Sequence, residues 1–204
     1  MNLNKLLESE SDFLLLHPEG FESESLTIIA KKHKFPQMVE FAHKTFMKSK
    51  LKNNNETIDN IMKFITRSSM ISVFEKVKFK DVVKSMDNRE RKNLVVGVKE
   101  LLHGDEEIGF NIMVEVLTPY KLVKWTIITA FRCYYTPTTD LLVKPTTTKN
   151  IIFSYDLEGV AYKPKPSFEF YQNYRRIIIE MSKQCNETLS PSLAAFTGFL
   201  MFSM

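Results

Sequence analysis

The sequence predicts an all-α protein, a single compact multi-helix domain with short, proline-initiated helices. Three observations carry this: apolar residues recur at helical rather than strand spacing, capping residues and prolines punctuate the chain, and glycine is scarce. Six glycines in 204 residues is roughly half of average usage. That disfavours glycine-rich phosphate loops and the tight hairpins whose turns need positive φ. The length suits one domain over residues 1–204, with residues 1–20 readable as an acidic N-terminal appendage.

Taken in order, Ser25 to Lys34 reads as a short helix, and Pro36 opens the next at its first turn, where a missing N–H costs nothing. Between Pro36 and Leu51 one stripe is Met38, Val39, Ala42 and Phe46, and another is Lys44, Lys48 and Lys52. Asn53-Asn54-Asn55 then breaks the chain. Ile58, Ile61, Met62 and Ile65 fall at i, i+3, i+4 and i+7, an amphipathic helix. Ile71 to Phe79 alternates more than it spirals, so a strand and a helix with one mixed face both fit; helix is preferred.

Asp87 followed by Glu90 is a capping-box start, and Leu94, Val95, Val98, Leu101 and Leu102 before Gly104 complete that helix. Ile108 to Leu117 continues as helix. Thr118-Pro119 offers an N-cap and a first-turn proline for a helix over Tyr120 to Phe131, apolar nearly all round and therefore central. Lys144-Pro145 starts another, carrying Ile151, Ile152 and Tyr155. Tyr162-Lys163-Pro164-Lys165-Pro166 must be extended, because residues before proline avoid the α region. Ser167 caps a helix over Phe168 to Gln184, and Ser190-Pro191 begins a last one, Leu193 to Met204.

The net charge of +4 is unevenly placed. Residues 1 to 30 hold one Lys against six acids, whereas residues 31 to 52 hold seven Lys against Glu40 alone, and a second basic block runs from Lys63 to Lys99. A solvated helical surface explains such blocks, and so does an electrostatic footprint for a polyanion. Cys133 and Cys185 have no CxxC and no histidine at ligand spacing, so neither a disulfide framework nor a zinc site is indicated. The N-terminus has acids where a signal peptide wants an apolar run, and no stretch is long and apolar enough to span a bilayer. The expectation is a cytoplasmic protein without membrane partners, metal or cofactor.

Candidate chemistry is sparse. His17, His33, His43 and His103 show no i, i+4 pair and read as solvated. Asp87, Glu90 and Lys92 supply the residue types of a metal-dependent nuclease, but a helix start explains the acids without a metal. GxSxG, Walker and Rossmann motifs are missing. Cys133 between Arg132 and Tyr134 reads as a structural thiol in a buried helix. An enzyme assembled from Arg132, Tyr134 and Asp140 stays open and is the less favoured class.

The remaining constellation lies between Pro119 and Arg176, with the only tryptophan, Trp125, and five of the eight prolines. Lys144, Lys149, Lys163, Lys165, Arg175 and Arg176 are interleaved with Tyr134, Tyr135, Tyr155, Tyr162, Phe168, Phe170, Tyr171 and Tyr174. Aromatic faces stack on unpaired bases while cations follow phosphates. The competing explanation is that Phe168, Tyr171 and Tyr174 form a core stripe. The favoured reading is a binding module for DNA or RNA using Lys144, Lys149, Lys163, Lys165, Arg175, Arg176, Tyr134 and Tyr162. The alternative is an oligomeric structural or regulatory protein joined through the apolar C-terminus, Ala194 to Phe202.

Val143-Lys144-Pro145-Thr146-Thr147 and Lys149, then Ala161-Tyr162-Lys163-Pro164-Lys165-Pro166-Ser167, then Tyr171 and Tyr174-Arg175 resemble a stretch of uncharacterised bacterial proteins. In those a K-P-T segment, a Y-x-P-x-P segment and a short apolar ending follow in the same order. The resemblance covers the last third of the chain and implies a bacterial protein, with no activity, cofactor or catalytic residue attached.

Overall fold

The structure, a computed structural model, describes residues 1–202, apart from the side chains of Ala30 and Lys32. Among the described residues there are eleven α-helices, two single-turn 3-10 helices and no strand. The helices are α1 (Leu3–Leu16), α2 (Glu24–His33), α3 (Phe35–Thr45), α4 (Asn55–Arg67), α5 (Val73–Ser85), α6 (Asn88–His103), α7 (Glu106–Leu117), α8 (Trp125–Tyr135), α9 (Pro145–Ser154), α10 (Phe168–Ser182) and α11 (Leu193–Phe202). The all-α expectation holds, and the helix order follows the sequence reading closely. Of the last expected helix, residues 203–204 lie outside the described residues.

Local chemistry explains most boundaries. Asn2, Asn54 and Asp105 each accept a first-turn backbone N–H with their side chains. Ser72 with Glu75 and Asp87 with Glu90 close full capping boxes. Pro36 and Pro145 sit in the first turns of α3 and α9. The ambiguous segment after Ile71 is helical from Val73, burying Phe79 and Val83 and leaving Val73 and Val77 outside.

Two helices depart from their expected bounds by four residues or more. The third helix stops at Thr45 rather than Leu51, because Phe46 turns into the core and His103 Nε2 donates to its carbonyl at 2.7 Å. Thr118-Pro119 does not start a helix. Lys121 adopts a left-handed conformation (φ 53°), Leu122 N–H reaches back to Leu117 O and Lys121 N–H to Thr118 O, a Schellman closure of α7. The central helix therefore begins only at Trp125.

That helix organises the core. Nine of the eleven residues of α8 are buried, and it packs against α3, α6 and α7. On one side Phe64 stacks on Phe131 at 4.9 Å with Phe46 edge-on to Phe64. On the other, Trp125 meets Phe110 and Phe170, and Phe170 stacks on Tyr174. Helices α6 and α7 approach closely at Gly109, where a Cβ would stand 2.1 Å from the Leu101 backbone nitrogen. The acidic N-terminal stretch forms α1, with Leu6, Ser9 and Phe13 buried, and α11 packs against α1, α9 and α10. No helix among the described residues is long and apolar enough to cross a membrane.

Candidate nucleic-acid interface

The basic-aromatic segment splits when folded. Its exposed part is built by α9 and the extended run before α10. Lys149, on α9, carries its ammonium 5.9 Å from the centre of the half-buried Tyr162 ring. Tyr162 leans on Trp125, whose indole N–H donates to the Lys163 carbonyl at 2.8 Å and so pins the extended run to the start of α8. Lys163 and Lys165 are exposed, and among the described residues none of Lys144, Lys149, Lys163 and Lys165 joins an ion pair. A cleft of about 180 Å³ lies beside Lys163, between Gly159–Ala161 and Ser167, Glu169, Phe170 and Asn173 at the start of α10.

Phe153 extends this surface and had no sequence signal. It lies one helical turn from Lys149 on the same face of α9 and is 83% exposed. Its neighbours Ile151 and Ile152 point inward, so an apolar run of three hides one outward aromatic. The start of α9 adds polarity of the right sign: no acid lies in its first turn and no side chain caps it. Lys144 immediately precedes that turn, half-buried, and burial lowers its pKa, opposed by the nearby Cys133.

The other expected residues lie elsewhere. Tyr134 is fully buried on the far side of α8, its hydroxyl sharing a 3.0 Å hydrogen bond with Ser68, and burial raises its pKa. It cannot face a ligand. Tyr171 and Tyr174 are core, as the stripe explanation required, with Phe168 half-buried. Arg176 is exposed and pairs with Glu180 at 3.1 Å.

Arg175 belongs to an internal charge cluster. Asp140, with no exposed surface, accepts from Arg132 Nε and Nη2, from the hydroxyls of Thr136, Thr139 and Tyr171, and from Arg175 Nη1. Arg175 also grips both oxygens of Glu106, at 2.6 and 3.1 Å. Burial alone would raise the Asp140 pKa; the Arg132 bonds and charge, with Arg175 and Thr136, hold it at about 2. Two cations and two carboxylates cancel here, so the cluster is a structural keystone.

The enzyme reading loses its geometry, since Arg132 and Asp140 meet but Tyr134 faces Ser68, away from them. A larger cleft, about 450 Å³ between α6 and α7, is lined by residues such as Arg89, Asn93 and Ile112 and reaches none of the three. Glu90, in the nuclease-like group, is occupied by the Asp87 N–H and the Tyr120 hydroxyl. Burial pushes the Cys133 thiol up to about 12, with Asp140 adding to the shift, so it is not a nucleophile at neutral pH. His43 and His103 donate to the carbonyls of Tyr135 and Phe46 rather than being merely solvated. Among the described residues no group of three His, Cys, Asp or Glu side chains could hold a metal ion.

Comparison with protein-family models, with curated proteins and with solved structures finds no match to this chain.

Proposed function

We propose that this protein binds single-stranded nucleic acid across the face formed by Lys149, Phe153, Tyr162, Lys163 and Lys165. The observation that carries the reading is the outward Phe153 one turn from Lys149, whose ammonium lies against Tyr162. An aromatic ring held in water on a rigid helix beside cations outside any ion pair is a base-stacking platform flanked by phosphate contacts. Lys163 and Lys165 continue the cationic track along the extended run, and the adjoining cleft gives space for a base edge. Unpaired bases are required, because a duplex buries the faces that would stack. Arg175 and Tyr134 play no part in it.

The test is fluorescence anisotropy with labelled single-stranded DNA, duplex DNA and RNA over a salt series. The expected result is saturable binding of single strands, weakening steeply with salt. Charge reversal at Lys149, Lys163 and Lys165 together lowers the salt slope by roughly 0.7 unit for each phosphate contact removed. Absence of binding at low salt, or an unchanged slope in the triple variant, overturns the reading.

A further inference from the structure

Two exposed apolar patches lie outside that face, and their charged surroundings have opposite sign. The first is on α5: Val73, Phe74 and Val77 lie within one turn of each other and all point outward, Phe74 being 88% exposed. Lysines surround them. Lys78 and Lys80 are exposed on the same helix, and the Lys78 ammonium donates to the Lys121 carbonyl at 3.4 Å, bringing the exposed Lys121 alongside. Of the carboxylates on α5, Glu75 is engaged by Ser72 and Thr126, which leaves the exposed Asp81, one turn beyond Val77, against these lysines.

The second patch is at the junction of α1 and α2. Leu15 is 81% exposed, with Leu16 and Ile28 also outward. Ser25 at the start of α2 bonds His17 at the end of α1 at 3.3 Å, and the exposed Phe202 meets the His17 ring at 5.6 Å, so the start of α2 and the end of α11 both meet the end of α1. The acids outnumber the cations around it: Asp12, Glu19 and Glu24, each within four residues of Leu15, Leu16 or Ile28, are exposed and make no ion pair among the described residues, and Glu8 lies two turns before Leu15, against the exposed Lys31 one turn after Ile28.

We infer that the α5 patch of one copy docks on the α1–α2 patch of a second copy. Apolar centres of this kind, ringed by complementary charge, are what an interface presents, with Phe74 as the aromatic anchor. The pairing cannot form within one chain. Helix α1 is tied elsewhere by Asn2 N–H to the Tyr155 carbonyl, by Tyr155 Oη to Ser9 and by Asn186 N–H to Glu10. Because the two patches differ, the contact is heterologous, so copies add head to tail until a ring closes. The inference is independent of nucleic-acid binding.

Sedimentation velocity on nuclease-treated protein, over a concentration series, tests it. The wild type gains mass with concentration, less so in high salt. Phe74→Asp and Leu16→Lys each stay monomeric, with unchanged melting because both side chains are exposed. Mixed one to one, they form a dimer and nothing larger, since each variant keeps one intact patch. A wild type that is monomeric throughout, association surviving either substitution, or a mixture that stays monomeric would each overturn the head-to-tail contact.

Discussion

Arg132 grips Asp140 through two parallel hydrogen bonds, Nε to Oδ1 and Nη2 to Oδ2, each 2.9 Å, across the turn that ends α8. Its remaining Nη1 donates to the Leu101 carbonyl on α6, and Arg175 brings α10 and Glu106 of α7 to the same carboxylate. Four helices are thus tied at one buried anion. Asp140→Ala leaves two guanidinium groups facing one carboxylate and should destabilise the fold by about 3–5 kcal/mol. Urea unfolding measures this; a loss below about 1 kcal/mol would contradict the keystone role.

The same carboxylate sets an acid limit. Its pKa in the fold is about 2, against an ordinary 3.8. A depressed folded pKa contributes stability that is complete above the unfolded value and is lost as pH falls through 3.8 toward 2. The size is about 2 kcal/mol at neutral pH. Stability measured between pH 2 and 5 should fall less steeply in Asp140→Asn than in the wild type, although the variant is weaker at pH 7.

Phe153 and Tyr134 should separate binding from folding. Phe153→Ala removes a ring that is 83% exposed, so melting stays at the wild-type temperature while single-strand affinity falls about tenfold, the worth of one stacked base. Tyr134→Phe removes one partner of the buried bond to Ser68, lowering stability by about 1 kcal/mol and leaving affinity unchanged. Anisotropy and thermal melts on the two variants give the comparison.

Much of the fold was legible because its signals are local. The Asp87 and Glu90 box, Pro145 at a first turn and the Pro164–Pro166 run each act within four residues of themselves. Thr118-Pro119 misled for a related reason: it carries a start signal, but the chain there is governed by Lys121 in a conformation that lysine does not advertise. The candidate site was half legible. Lys149, Tyr162, Lys163 and Lys165 stand together, whereas Arg175 is taken up by Glu106, 69 positions away in sequence. Spacing along one helix cannot reveal such a partner, nor show that Phe153 points out while Ile151 points in.

Gly109 marks the tightest helix approach. An added methyl would meet backbone atoms of Leu101 and Glu100, which cannot swing aside as a side chain does. Gly109→Ala should therefore push α7 from α6, despite alanine's better helix propensity of about 1 kcal/mol. A net loss of roughly 1–3 kcal/mol is expected in urea unfolding. A stabilised variant would mean the helices separate freely.

The apolar C-terminus is the last case, because exposed and buried versions of it predict opposite results. Leu193, Phe196, Phe199 and Leu200 are buried, Phe199 sits edge-on to Phe13, and Leu193 N–H donates to the Pro137 carbonyl at 2.8 Å. Each such side chain contributes about 1.5–3 kcal/mol on burial. Together they approach the whole stability of a small domain, about 5–15 kcal/mol. Truncation after Ser192 should abolish the cooperative thermal transition followed by circular dichroism. A truncated chain that still melts cooperatively but no longer self-associates would instead make α11, whose Phe202 lies against His17, part of the α1–α2 side of the contact and not of the core.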